Sequence, residues 1–92
     1  MLVMRKQKSK KQMAETIYTV FSKKNCSFCD RAIMLIEDKG YKVQVKKIDE
    51  VVDHFQEMRE KAPSMKTMPV VFKDEILIGG YSDLVQHFSN NA

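Results

Sequence analysis

Residues 15–40 read ETIYTVFSKKNCSFCDRAIMLIEDKG, and this stretch decides the fold. Its first seven residues are β-branched or bulky on both faces, which is typical of a central strand over 15–21. Apolar residues then recur at helical spacing, and the helix begins at Cys26 or Ser27 and is stopped by Gly40. The predicted buried stripe of this helix consists of Cys29, Ala32, Ile33 and Ile36.

The next two elements repeat the alternation of strand and helix. Apolar and polar residues alternate over 41–48, which predicts a second strand. A helix between two neighbouring strands implies a parallel, right-handed β-α-β unit. A second helix is expected over about 51–61, capped by Asp49 or Glu50. Its predicted buried side consists of Val52, Phe55, Met58 and Ala62.

The last third of the chain reads as a hairpin followed by a helix. A strand over 68–72 begins at a proline, and a short turn leads into a second strand over 76–78. A helix follows over 82–89, with Leu84, Val85 and Phe88 predicted to face inward. The sequence therefore predicts an α/β fold with the order β-α-β-α-β-β-α.

The charge of the chain is unevenly distributed. The 92 residues suffice for one domain and carry a formal net charge of +4. Residues 1–13 hold five basic residues and no acid, whereas 14–92 hold eleven basic and twelve acidic residues. We therefore expect a disordered basic tail over 1–13 and a folded domain over 14–92. Such a tail is either a solvated leader or a segment that docks on nucleic acid.

The sequence has no feature that points to a membrane or to secretion. No apolar stretch approaches the roughly 20 residues that span a bilayer. The basic start is not followed by the apolar core and the cleavage site of a secretory signal. We therefore expect no membrane partner and a cytoplasmic location.

Cys26 and Cys29 are the only cysteines, and their C-x-x-C spacing at a strand-to-helix junction predicts a dithiol redox site. A cysteine in the first turn of a helix faces unpaired N–H groups and the positive end of the helix dipole, which favour the nucleophilic thiolate. Lys23 and Lys24 add positive charge. We expect Cys26 to be the exposed nucleophile and Cys29 the half-buried resolving thiol.

Two structural thiols that bind zinc are the alternative to a redox pair. Zinc takes four ligands, usually a second cysteine pair or a spaced histidine pair. Only His54 and His87 remain, far apart and on different predicted helices. We therefore predict no metal site of this kind.

The sequence Thr67-Met68-Pro69 marks the start of the third strand, where a proline cannot donate a hydrogen bond to the sheet. A cis bond at this proline would turn the backbone of Met68 towards an extended peptide. Because cis is the minority form, the motif alone predicts an ordinary trans proline.

The sequence Gly79-Gly80-Tyr81-Ser82-Asp83 precedes the last helix. Two glycines allow the backbone of a ligand to approach closely, and a helix opened by Ser82 or Asp83 offers N–H groups to a carboxylate. The alternative is a plain turn with an N-cap.

Taken together, the three motifs resemble the glutaredoxin family over residues 15–89. The resemblance implies a thioredoxin fold with a four-stranded mixed sheet flanked by three helices. It also implies an enzyme, a glutathione-dependent oxidoreductase that reduces protein disulfides and glutathione mixed disulfides. The implied partners are glutathione as cosubstrate and disulfide-containing or glutathionylated proteins, ribonucleotide reductase among them, and the implied state is a monomer.

The resemblance assigns roles to individual residues. Cys26 becomes glutathionylated and Cys29 resolves mixed disulfides. Lys23 and Gln56 match positions that hold the glycine carboxylate of glutathione, and Met68 pairs its backbone with the cysteine of the tripeptide. Ser82 and Asp83 hold the γ-glutamyl end. The implied glutathione-binding set is Lys23, Phe28, Gln56, Thr67, Met68, Pro69, Gly80, Ser82 and Asp83.

The site departs from the commonest family sequence, Cys-Pro-Tyr-Cys, at Ser27 and Phe28. Some members with serine in this slot bind a [2Fe-2S] cluster between two protomers, with Cys26 as the matching ligand and two glutathione thiols. The alternative function is therefore a non-enzymatic cluster carrier or a redox-sensing binding module. Nucleic acid is not an expected partner, because the core lacks exposed aromatic and basic clusters of the kind that single-strand binders use.

Overall fold

The computed structural model describes residues 16–90, so the predicted tail over 1–13 lies outside the described residues. Helices and strands follow one another within this range in the predicted order, with bounds that differ from the predicted ones by at most two residues. The seven elements of this range are β1 (Ile17–Ser22), α1 (Ser27–Asp38), β2 (Lys42–Lys47), α2 (Val52–Lys61), β3 (Val70–Lys73), β4 (Ile76–Gly79) and α3 (Tyr81–Asn90).

The four described strands form one mixed sheet in the order β2-β1-β3-β4. β1 is central, as predicted, and pairs in parallel with β2, with Tyr18 opposite Val43. β1 also pairs antiparallel with β3, where Val20 lies opposite Val71, and β3 pairs antiparallel with β4. The predicted mixed sheet and its three flanking helices are therefore confirmed. The carboxyl end of β1 leads directly into the loop before α1, which places the two cysteines at that end of the sheet.

Two apolar clusters fill the two faces of the sheet. Alternate residues of a strand point to opposite faces, so β1 sends Tyr18 and Val20 to one side and Phe21 to the other. The buried residues under α1 and α3 are Tyr18, Val20, Ala32, Ile36, Val71, Leu84 and Phe88. Those on the α2 side are Phe21, Met58, Ala62, Val70 and Phe72.

The predicted buried face of α2 was half wrong. Met58 and Ala62 are buried against the sheet as expected. Val52 and Phe55, however, are 67% and 40% exposed. The reason is that only the second half of this ten-residue helix packs on the core cluster, so an apolar pattern that runs the full length of the helix overstates its contact.

The predicted cap of α2 was also wrong. The N-cap is Val51, which makes no side-chain capping bond. Asp49 lies too early to cap, and its Oδ2 accepts a hydrogen bond from the backbone N–H of Lys24 at 3.0 Å. This hydrogen bond is the main reason that the pKa of Asp49 lies below its usual value. Asp49 therefore ties the loop before α1 to the end of β2.

Two further burial predictions need correction. Val85 is 38% exposed, because it lies at the outer edge of α3 while Leu84 and Phe88 of the same helix face the core. Ile33 is only partly buried and packs against the rim of the cluster. Among residues 16–90, no helix combines the length and the apolar character needed to cross a membrane.

Candidate active site

Cys26 is the N-cap residue of α1, with an extended backbone at φ −122° and ψ 96°. Asn25 precedes it in the left-handed region at φ 57°, a conformation that asparagine tolerates better than most residues. The backbone N–H of Cys29 donates a hydrogen bond to the Cys26 Sγ at 3.3 Å. The loop therefore places the sulfur of Cys26 within hydrogen-bonding distance of the Cys29 N–H, which has no partner within the helix.

Cys26 and Cys29 are joined by a disulfide, with 5.2 Å between their Cα atoms. Cys26 is partly exposed, whereas Cys29 is 0% exposed and so more deeply buried than the half-burial predicted. Its position on the inward stripe of α1, with Ala32 and Ile36, explains this burial. An incoming disulfide or thiol can therefore reach the sulfur of Cys26 and not that of Cys29.

The surroundings of Cys26 favour its anion once the disulfide is reduced. The sulfur lies at the positive end of the α1 dipole and accepts a backbone hydrogen bond, and both effects stabilise a thiolate. Lys23 lines the same groove as Cys26. The arrangement is suited to thiol–disulfide exchange, in which a thiolate attacks a disulfide sulfur.

Two surface grooves meet beside this sulfur. We call the first the cysteine groove; it has a volume of about 410 Å³ and is lined by Lys23, Asn25, Cys26, Ser27, Phe28, Lys66, Thr67 and Met68. We call the second the glycine groove; it has a volume of about 430 Å³ and is lined by Phe28, Met65, Thr67, Met68, Gly80, Tyr81, Ser82 and Asp83. Both volumes fall in the usual range for small-molecule sites. The grooves share Phe28, Thr67 and Met68, so one ligand can occupy both.

The bond between Met68 and Pro69 is cis, whereas the motif alone predicted trans. The choice of isomer depends on what surrounds the bond, and here Pro69 is fully buried at the start of β3. Met68 lines both grooves, and the pairing of its backbone with a ligand stays a prediction.

The two glycines before α3 serve different purposes. Gly79 has a φ of +125°, and an added Cβ would collide with the carboxylate of Asp83. Gly80 has room, because an added Cβ would lie 3.8 Å from the carbonyl oxygen of Pro69. The N–H of Gly80 donates a hydrogen bond to the Asp83 Oδ2 at 2.9 Å. The helix begins at Tyr81, so neither Ser82 nor Asp83 opens it as predicted; Asp83 lies in the first turn and accepts from the residue just before the helix. Asp83 also lines the glycine groove, and the binding of a ligand by this motif stays a prediction.

The structure brings nearly all of the sequence-predicted site residues together. Lys23, Cys26, Phe28, Thr67 and Met68 line the cysteine groove, and Gly80, Ser82 and Asp83 line the glycine groove. Cys29 and Pro69 are buried.

Gln56 is different, because it is exposed on α2 and lines neither groove. Five lining residues are not among the predicted site residues, namely Asn25, Ser27, Met65, Lys66 and Tyr81. Each lies within two residues of a motif, which is the one signal that pointed to them. Tyr81 packs its ring against that of Phe28, with 5.5 Å between centroids.

The described residues do not by themselves complete a metal site. Within 16–90, no group of three or more histidine, cysteine, aspartate or glutamate side chains is placed to hold a metal ion. Of the two cysteines in the sequence, both of which the structure describes, Cys26 is partly exposed and Cys29 is buried. A single copy therefore supplies one ligand to a cluster that takes four, and the iron–sulfur alternative stays a prediction.

Comparisons with known proteins agree with this geometry. A family model described as Glutaredoxin matches residues 18–78. Glutaredoxin-2, mitochondrial, of Rattus norvegicus is 35% identical over 78% of this chain, which spans about half (50%) of the length of that relative. The holo form of glutaredoxin C1 from Populus tremula x tremuloides is 30% identical over 80% of this chain and 75% of its own, with a TM-score of 0.69.

The buckwheat glutaredoxin–glutathione complex matches in fold, with a TM-score of 0.70 at 23% identity over 85% of this chain and 73% of its own. The predicted thioredoxin fold is thus confirmed. The family match spans both cysteines and the cis-proline segment that lie around the grooves. The chain belongs to the glutaredoxin family.

Proposed function

We propose that this protein reduces protein disulfides and glutathione mixed disulfides, with glutathione as the electron donor. The observation that carries the proposal is the dithiol itself, in which a partly exposed Cys26 sulfur at a helix N-terminus covers a fully buried Cys29. Membership of the glutaredoxin family supports a thiol–disulfide oxidoreductase. The glutathione bound by the buckwheat neighbour supports the choice of thiol.

The two grooves together offer complementary partners for the ends of the tripeptide. Lys23 supplies a cation for the glycine carboxylate, and the backbone of Met68 lies between the grooves, where the cysteine of glutathione would pair. Asp83 faces the other end, where its carboxylate attracts the ammonium group of the γ-glutamyl residue. One Asp83 oxygen already accepts from Gly80, and a carboxylate has acceptor capacity for further donors.

Mixed disulfides are reduced through Cys26 alone. Its thiolate attacks the glutathione sulfur of a glutathionylated protein, so the protein thiolate leaves and takes up a proton. A second glutathione thiolate then attacks the sulfur of glutathione bound to Cys26. This step releases oxidised glutathione and restores the Cys26 thiolate.

Protein disulfides need both cysteines. Cys26 attacks one sulfur of the acceptor and forms a mixed disulfide, and Cys29 then attacks Cys26 and releases the reduced acceptor. The product is the Cys26–Cys29 disulfide, which is the form that the structure contains. Two glutathione molecules reduce it and leave as oxidised glutathione.

Two serine variants test the proposal. Turnover is followed as NADPH oxidation coupled through glutathione reductase, with the mixed disulfide of glutathione and mercaptoethanol as one substrate and a disulfide-bonded peptide as the other. Cys26→Ser should lose all activity on both substrates. Cys29→Ser should keep activity on the mixed disulfide and lose it on the peptide. Full activity of Cys26→Ser would reject the proposed function.

A further inference from the structure

A third groove continues from the cysteine groove along α2. We call it the α2 groove; it has a volume of about 350 Å³ and is lined by Ile48, Phe55, Met58, Arg59, Pro63, Met65, Lys66, Thr67 and Met68. It shares Lys66, Thr67 and Met68 with the cysteine groove. The cysteine groove and the α2 groove therefore form one continuous channel. A polypeptide whose sulfur is bonded to Cys26 can extend along this channel into the α2 groove.

The side chains of the α2 groove are of the types that dominate protein-binding sites. Phe55 is 40% exposed, and the core does not use it. The guanidinium of Arg59 lies 5.9 Å from the centroid of the Phe55 ring. Exposed aromatic and arginine side chains supply most of the energy in protein interfaces, and the nearby methionines Met58 and Met65 can adapt to different partners.

The charge along the cysteine and α2 grooves has one sign. Lys23, Arg59 and Lys66 line them, and among the described residues no acidic side chain does. The acid of α2 that makes ion pairs, Glu57, is turned to another surface, where it binds Lys46 at 2.7 Å and Lys61 at 3.0 Å. The channel is therefore complementary to an anionic, partly apolar segment.

From this continuity and charge we propose that the α2 groove binds the segment of a protein acceptor next to its reactive cysteine, and that it selects apolar segments that carry glutamate or aspartate. The inference rests on the proposed function, because the acceptor is the protein whose disulfide Cys26 attacks. The acceptor sulfur bonded to Cys26 anchors the chain, and each further residue of an extended segment adds about 3.3 Å of reach along the channel.

The test uses two disulfide-bonded peptides that differ only in charge. Both contain one internal disulfide flanked by leucines, with glutamates outside it in one peptide and lysines in the other. Each kcat/KM is divided by the uncatalysed rate of the same peptide with glutathione, because neighbouring charges change the reactivity of the peptide sulfurs. The wild type should prefer the acidic peptide about tenfold at low ionic strength and lose most of this preference in about 0.5 M salt.

Variants assign the preference to the groove. Arg59→Gln should reduce the preference for the acidic peptide from about tenfold to about threefold. Phe55→Ala should lower kcat/KM about threefold for both peptides. Lys42→Gln is the matched control, because it removes the same charge from an exposed residue at the opposite end of the parallel strands. All three variants should turn over the small glutathione–mercaptoethanol disulfide as the wild type does, since this substrate is too short to enter the α2 groove.

The outcomes separate this inference from the proposed function. Equal use of the two peptides by a wild type that reduces the small disulfide overturns the inference alone. A wild type that is inactive on the small disulfide overturns the proposed function. Slower turnover of the small disulfide by Arg59→Gln would assign Arg59 to glutathione and overturn the inference. If the wild type self-associates and Phe55→Ala abolishes this, the α2 groove binds a second copy of the chain, and the inference is overturned.

Discussion

The capping role of the Cys26 sulfur can be measured apart from its chemistry. Cys26→Ser and Cys26→Ala both remove the nucleophile and the disulfide, so their stabilities differ only through the side chain at position 26. In the structure this side chain accepts the N–H of Cys29 at 3.3 Å, one of the donors that the helix itself leaves unpaired. A serine oxygen can take over this hydrogen bond and an alanine methyl cannot.

The expected difference in stability between the two variants follows from the N-cap position of residue 26. Replacing a serine N-cap by alanine costs about 1 kcal/mol, within a range of roughly 0.5–2. The extended backbone of Cys26 is already that of an N-cap, so the serine variant needs no rearrangement to reach this value. α1 contributes Ala32 and Ile36 to the core, and loosening its first turn weakens that packing. For a domain of this size, 1 kcal/mol corresponds to a shift in Tm of about 4–8 °C.

Urea denaturation followed by circular dichroism measures the difference. Both variants are kept in reductant, because unfolding exposes the Cys29 thiol, which otherwise links two copies. Equal m-values show that the two transitions expose the same surface and that the free energies can be compared. Stabilities that agree within about 0.3 kcal/mol, or a more stable alanine variant, would refute the argument that a side-chain acceptor at position 26 caps α1.

Two further predictions concern pH and the backbone before Cys26. Burial and Lys73 lower the pKa of His87, whose Nε2 lies 2.9 Å from the hydroxyl of Tyr18, so the unfolded state binds the proton more tightly. The free energy of unfolding should therefore fall as pH drops below about 6.5, by at most about 1.4 kcal/mol per pH unit. Urea titrations at several pH values should show that this free energy depends less steeply on pH in His87→Gln than in the wild type. An equally steep dependence in the variant would contradict the prediction. Because Asn25 has a φ of 57°, Asn25→Val should lower the free energy of unfolding by about 1–2 kcal/mol and Asn25→Gly by much less. The same urea assay measures both variants, and equal losses of stability would contradict the backbone argument.

The order of elements could be predicted because it depends on local patterns. The alternation in β1 separates Tyr18 and Val20 from Phe21, and the structure places them on opposite faces of the sheet. The helical stripe of α1 likewise predicted the burial of Ala32 and Ile36. These features follow from the periods of a strand and a helix, which the sequence carries directly.

The errors arose where the outcome depends on distant parts of the chain. The pattern of α2 defines an apolar face, but it contains no information on how much of the helix rests on the sheet, so Phe55 was predicted buried. The isomer at Pro69 depends on the packing around this buried residue, and the local sequence favoured the common form. The family resemblance assigned Gln56 to the glycine carboxylate of glutathione; this side chain is exposed and lines neither the cysteine groove nor the glycine groove, and its assignment stays a prediction.

The cations of the site were hard to recognise for a related reason. Lys66 has only its position next to Thr67-Met68-Pro69 as a signal, and Arg59 differs in no local pattern from the solvated basic residues elsewhere in the chain. Only the folded arrangement shows that both line a groove that is continuous with Cys26. Basic residues at an active-site rim therefore become visible only once the topology is known.

The arrangement of the three grooves separates two tasks. Thr67 and Met68 line all three grooves, so under the proposed function a substitution at either position should change the use of glutathione and the choice of acceptor together. Phe55 and Arg59 line the α2 groove and neither of the other two. If the α2 groove receives the acceptor, its selectivity can change through these two side chains while the chemistry of Cys26 and the binding of glutathione stay constant.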